Sequence, residues 1–285
     1  MRKTEKGLLF FLYIFTCNVF AGEFSISLPY TINQDANGFI WVGTQTGATR
    51  YDGHQTIKVA QDIGYIKRIV TTPSTTYIAG DKAIVTVDLQ LNQKTIYTTK
   101  HDNNIVDIAL HNNKLYALQQ NQLIQLSKLN TENTTKQLLS FKHTKKGLIA
   151  ASNNQICIII HGKEFRCVDD STEIKPSKTL YLPSTVTSLA KQNNALYFST
   201  KHALYMKASP QDNLRLVAKF PKQMLGAITK ANKADHLWLM LNNKPELFNT
   251  ANENLVEHSF VRNQSSQVLN VFQSKDSTLR SEEHT

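Results

Sequence analysis

The chain has 285 residues and 3 cysteines, which leaves room for one large domain or two smaller ones and excludes a disulfide-stapled miniature fold. Its net charge of +10 comes from scattered basic residues with only short pairs such as Lys145-Lys146, so the clustered basic face that nucleic-acid binding requires is missing. The 9 histidines form no HxH or HExxH pair, and no GxSxG elbow or phosphate-cradling glycine loop occurs, so local spacing supplies no metal, no cofactor and no catalytic site.

In chain order, the first predicted element is a secretory signal over residues 1–21. Arg2, Lys3 and Lys6 form a positive head, Leu8 to Phe15 an apolar stretch, and Val19-Phe20-Ala21 a cleavage site. The apolar run falls short of the about 20 residues of a membrane span, and Thr16 and Asn18 interrupt it. Cleavage after Ala21 is expected, with an uncleaved anchor as the alternative. Cys17 follows Phe15-Thr16 and not the small residues that precede a lipidated cysteine. Removing the signal takes away three bases and one acid and lowers the net charge to +8.

From Asn33 to Gly53 runs NQDANGFIWVGTQTGATRYDG, the clearest copy of a motif that recurs about every 40 residues. Aligned on Trp41, the later copies place Tyr77, Tyr116, Cys157, Tyr197 and Trp238 at the same position. Each anchor lies in a short apolar run (FIWVG, TYIAG, KLYAL, QICIII, ALYFS, HLWLM) that reads as a buried strand. A second strand lies upstream of most anchors, as in IKRIV, IVDIA, VTSLA and LGAIT, across a polar turn such as Asp35 to Gly38 or His111 to Lys114. A third follows, as in ATRYD, AIVTVD, QLIQL, EFRCV and ALYMK, and a more polar fourth closes the unit. The expected fold class is therefore all-β, a β-propeller of four-stranded antiparallel blades, with six blades and the start of a seventh. A sandwich or barrel would also give short strands between turns, but has no reason to repeat one aromatic at one register. Parallel solenoid coils have shorter repeats.

Within the fourth copy, Cys157 and Cys167 flank an HGK turn in CIIIHGKEFRC. Pairing the strands about Gly162 sets them opposite each other, where a structural disulfide fits and an oxidising compartment keeps it closed. Two free buried thiols are the alternative. Asp35 to Gly38 carries calcium-loop residue types without the full spacing, and Asp52-Gly53 reads as a hairpin turn. Gln267 to Leu279 opens the seventh copy, but Arg280 stands where an aromatic anchor is due. The final RSEEHT reads like a translated sequencing-library adapter, with an ordinary polar terminus as the alternative. The expected layout is a signal at 1–21, a propeller truncated in its seventh blade at 22–279, and an adapter-derived tail at 280–285.

The run from Ile32 to Gly53 resembles the repeat of two-component regulator propellers. Gln34, Asp35, Gly38, Trp41, Gly43, Thr44, Gly47, Tyr51, Asp52 and Gly53 match its pattern, while Ala48 replaces a larger aliphatic residue. Later copies keep the hydrophobic pattern and mostly lose the glycines, and Asp276 to Leu279 is a partial match. In that family the matched residues are structural blade signatures. The resemblance implies a periplasmic sensor region of a receptor anchored in the inner membrane, whose missing output module is a histidine kinase or diguanylate cyclase. It implies a small-molecule or carbohydrate ligand of unknown site and homodimerisation through the full-length receptor. The membrane is reached only through a missing C-terminal segment, and the residues present carry no catalysis. A propeller acting as an interaction module, or a secreted propeller enzyme, remains open as an alternative.

Overall fold

A computed structural model describes residues 30–100, 103–129, 132–152, 154–169, 179–258, 267–273, 275 and 279–284. The secretory signal and Asp276 to Thr278 lie outside these residues. Six four-stranded antiparallel sheets follow one another, each with its strands ordered as in the chain, and a two-stranded sheet comes last. Among the described residues no helix is long and apolar enough to cross a membrane.

The first strand of each sheet packs beside the first strand of the next, so these strands line the axis of a ring of blades. They are Thr31–Gln34, Ile66–Thr71, Ile105–His111, Gly147–Ser152, Val186–Gln192 and Leu225–Lys230. The second strand of a blade is covered on both faces by neighbouring blades, which demands a continuous apolar run in place of alternation. Gln155–Ile160, Ala195–Thr200 and His236–Leu241 are accordingly buried at every position. Fourth strands such as Gln93–Thr98 and Arg215–Lys219 form the exposed rim.

All six repeat anchors fall in second strands. Trp41, Tyr116, Cys157, Tyr197 and Trp238 are buried, and Tyr77 is half-buried beside a lateral groove. Burying a large apolar side chain contributes about 2 kcal/mol or more, so this register position supplies a large buried ring to blades one, three, five and six, while blade four uses a cysteine there.

Polar stitches join the inner strands. At the third residue of an inner strand, a side chain reaches the next blade in four of the six cases. Asn33 Nδ2 donates to the Ile69 carbonyl at 3.0 Å. Arg68 makes a two-point contact with Asp107, Nε to Oδ1 at 2.8 Å and Nη2 to Oδ2 at 2.9 Å. Asp107 Oδ2 also accepts from the Ile149 N–H at 3.1 Å, and Ser188 Oγ accepts from the Ile228 N–H at 3.1 Å. Asp107 thus ties blade three to both neighbours from a side chain that is 4% exposed, against 41% for Arg68. The carboxylate in turn holds the Arg68 guanidinium firmly protonated, above its ordinary range.

The two-stranded sheet, Gln267–Gln273 with Leu279–His284, sits between blades six and one. On one side Gln273 Oε1 accepts from the Asn232 N–H at 2.8 Å and the Trp238 indole at 3.2 Å. On the other, the Lys275 N–H donates to Gln34 Oε1 at 2.8 Å and its ammonium to the Ala36 carbonyl at 3.0 Å. A two-stranded sheet therefore lies between blades six and one, and among the described residues the expected start of a seventh blade is not shown.

The Asp107 carboxylate accepts two hydrogen bonds from Arg68 and one from the Ile149 N–H; hydrogen bonds to a charged group are worth about 1.5–3 kcal/mol, whereas losing one neutral hydrogen bond costs about 1 kcal/mol. Asp107→Ala should accordingly lower unfolding stability well beyond Ser188→Ala in urea titrations. Equal losses would mean that the Asp107 contacts add nothing beyond an ordinary stitch.

Candidate functional site

The blade-one signature residues build turns. Asp35 is 5% exposed. Its Oδ1 accepts from the N–H groups of Asn37 and Phe39 at 2.9 and 3.1 Å, and its Oδ2 from the Trp41 indole at 2.9 Å. Gly38 closes that turn at a φ of 91°, a conformation open to glycine. A Cβ on Gly43 would lie 2.5 Å from Ile66 Cγ2, so glycine there lets blade one approach blade two. Thr44 Oγ1 donates to the Gly47 carbonyl at 2.9 Å, and the Tyr51 hydroxyl to the Gly53 carbonyl at 2.7 Å. Asp52 accepts from the N–H groups of Gln55 and His54, both at 2.8 Å, and these bonds hold its carboxyl below the ordinary range. The Asp35, Thr44, Tyr51 and Asp52 side chains thus shape the turns of blade one.

The register of blade four puts Cys157 opposite Cys167. The two are bonded at 2.07 Å and fully buried, packed among Phe165, Leu196 and Phe198 at the interface with blade five. The arrangement is structural, since both sulfurs are shielded from any reactant.

The channel has two chemically different ends. The turns between first and second and between third and fourth strands gather at one end, here the lower. The turns between second and third strands, with the crossings between blades, gather at the upper end. Upper turns and crossings carry Lys82, Lys100, Lys142, Lys145, Lys146, Lys163, Lys201 and Lys222 against Asp62, Asp81 and Glu257 among the described residues. Among the described residues the lower turns carry Asp35, Asp52, Asp212, Asp235 and Glu253 against Lys233. Among the described residues the upper face of the ring is therefore positive and the lower negative, a separation that a net charge alone conceals.

At the upper mouth, the residue just before each inner strand forms a ring: Tyr30, Tyr65, Asn104, Lys146, Thr185 and Met224. Immediately after, the pairing register slips between Ile66 and Arg68, Ile105 and Asp107, Val186 and Ser188, and Leu225 and Ile228. Such bulges free a residue from the ladder and re-aim it. Lys67, Val106 and Thr187, freed in this way, line a cavity of about 440 Å³ that also takes in Asp81, Asn104, Lys145, Lys146 and Thr185, so four blades meet there. Beside it Tyr30 and Tyr65 stand edge to face, 5.7 Å between centroids, and are 47% and 39% exposed. Gln45 Nε2 donates to the Tyr65 hydroxyl at 2.9 Å, and the Lys67 ammonium lies 5.3 Å from the Tyr65 ring centre. Asp81 packs against Gly64, and its Oδ1 is buried with no hydrogen-bond partner.

A lateral groove of about 420 Å³ lies between blades two and three, with Tyr77, Ile96, Leu115 and Leu126 as its apolar wall. At its edge the Asn92 amide holds the Asp88 carboxyl below the ordinary range. It is touched by two blades, against four at the mouth. Among the described residues, no three His, Cys, Asp or Glu side chains group as metal ligands would.

Sequence reasoning missed the mouth. Tyr30 and Tyr65 are separated by 35 residues and belong to no motif, and the polar crossings looked featureless. The signal was the repeat itself, read at the residue before each inner strand in place of the anchor.

By sequence, no family profile and no curated protein matches the chain. By structure, the ring superposes on the extracellular domain of the B. thetaiotaomicron system BT4673, solved twice and described once as a one-component and once as a hybrid two-component system. The TM-scores are 0.66 and 0.67, the identities 15% and 16%, and the matches cover 92% and 90% of this chain. The fold is a β-propeller. The chain spans only 38% and 37% of those two domains. It also superposes on S. aureus virginiamycin B lyase with quinupristin at a TM-score of 0.70 and 15% identity, covering 90% of this chain and 92% of that one. At such identities the likeness is one of fold alone.

Two stability predictions follow from the buried geometry. Asp35→Ala leaves the Trp41 indole and two turn N–H groups without their acceptor, and should cost about 2 kcal/mol in chemical denaturation; Asp35→Asn, which keeps one carbonyl acceptor, should cost less. Replacing Cys157 and Cys167 together by Ser reopens a loop with a sequence separation of 10, an effect of about 2–3 kcal/mol through the unfolded chain. An unchanged melting temperature in the double variant would show that the bond does not constrain the unfolded state.

Proposed function

We propose that this chain is the ligand-sensing propeller of an exported bacterial signalling receptor, its output module lying outside these residues. The observation that carries the reading is the upper cavity, where side chains from four blades surround one space. A small molecule held there touches several rigid units at once, and it biases receptor states only insofar as it prefers one packing of the ring or of two paired propellers over another. The two receptor-domain likenesses and the blade-one motif support the same assignment. Under this reading the propeller is periplasmic, the receptor sits in the inner membrane as a homodimer, and the ligand is a small molecule or carbohydrate.

The second reading is a secreted propeller enzyme, favoured by the near full-length likeness to the lyase. An exported interaction module is the third, for which the same mouth would receive a protein loop.

Thr185→Trp would fill the cavity from a crossing without touching a ladder. In the full-length receptor it should abolish the signalling response while the melting temperature of the propeller stays within about 2 °C of the parent, since substitutions away from packed or buried polar features change stability little. Loss of both together would reduce the mouth to a packing element, and a retained response would place sensing elsewhere.

A further inference from the structure

The cavity wall is not neutral. Lys67, Lys145 and Lys146 line it, and Asp81 is the one acid among its lining residues. No carboxylate lies within ion-pair distance of these three ammonium groups among the described residues. Like charges gathered on one concave wall repel one another, and low-dielectric walls focus their field into the space between them. An anion entering the cavity removes that repulsion and gains from all three at once. The residues around the lysines are hydrogen-bonding ones: Asn104, Thr185 and Thr187 on the wall, with the Asp81 carboxylate as an acceptor for a hydroxyl. The half-exposed Tyr65 ring adjoins Lys67 and offers an apolar face.

We propose that the upper cavity binds a small hydroxylated organic anion, its acidic group among Lys67, Lys145 and Lys146 and a hydroxyl on Asp81. This rests on the reading of the mouth as the ligand site and adds the chemical class of what enters it. A flat anionic surface fits the geometry less well, because the three lysines line a concave space. A carboxylate, a sulfate and a phosphate share the chemistry required, and the choice among them is made by titration.

The test uses the whole chain and four probes: gluconate, glucose 6-sulfate, glucose 6-phosphate, and glucitol as the neutral polyol. Binding is followed by calorimetry at low and physiological salt, and location by protection of individual lysines from acetylation, read by mass spectrometry. At least one anion should bind, shield Lys67, Lys145 and Lys146, and weaken as salt rises. The double variant Lys145→Gln with Lys146→Gln should lower its affinity at least tenfold, whereas Lys201→Gln with Lys222→Gln, on upper turns outside the cavity lining, should not. Glucitol shielding the same lysines as strongly as the anions would overturn the charge inference and leave the mouth as a ligand site. Anions shielding only lysines elsewhere would overturn both. If no anion binds, the anion assignment falls, and the cavity-filling Thr185→Trp receptor then decides the mouth on its own.

Discussion

The ring depends on inner strands being fastened to one another across the channel wall. Packing of second strands supplies most of the apolar burial, but apolar contact is non-directional and would tolerate sliding of one blade against the next. The stitches from Asn33, Arg68, Asp107 and Ser188 to the following blade remove that freedom, because each needs one partner group at one height: a backbone group for Asn33, Asp107 and Ser188, and the Asp107 carboxylate for Arg68. Asp107 is the centre of this arrangement. One buried carboxylate satisfies a guanidinium behind it and a strand N–H ahead of it, so three blades share a common register.

The fold was legible because its unit is local. Four strands and their turns lie within about 40 residues, and an aromatic residue recurs at one position in five of the six units. Trp41, Tyr116 and Trp238 announce that position plainly, and Cys157 could be placed there only by counting from its neighbours. The register of the blade-four hairpin was legible for the same reason, since a short turn about Gly162 leaves the two strands one way to pair. The stitches were not legible. Arg68 and Asp107 are 39 residues apart, and nothing in either strand announces an ion pair across blades.

The mouth was hidden by a different circumstance. Tyr30, Tyr65 and Lys146 look like unrelated loop residues until the ring brings the crossings together. The uneven charge of the two ends was hidden likewise: a modest excess of lysine spread along a chain becomes a polarised body once alternate turns are sorted to opposite ends. Among the signature residues of blade one, which stand out most in the sequence, Asp35 lies in a lower turn and holds Trp41 in place, while Thr44 and Gly47 shape an upper turn without lining the cavity.

The slips of register at the start of four inner strands carry a consequence for how such a protein diversifies. A residue with no partner across the ladder can be exchanged without forcing a compensating change on the strand beside it. Lys67 sits exposed at such a position, while Arg68, which follows it, holds the blades in step. Variation and architecture are thereby assigned to adjacent residues of the same strand, and a lineage of these rings could change what it recognises while the ladder beneath stays as it was.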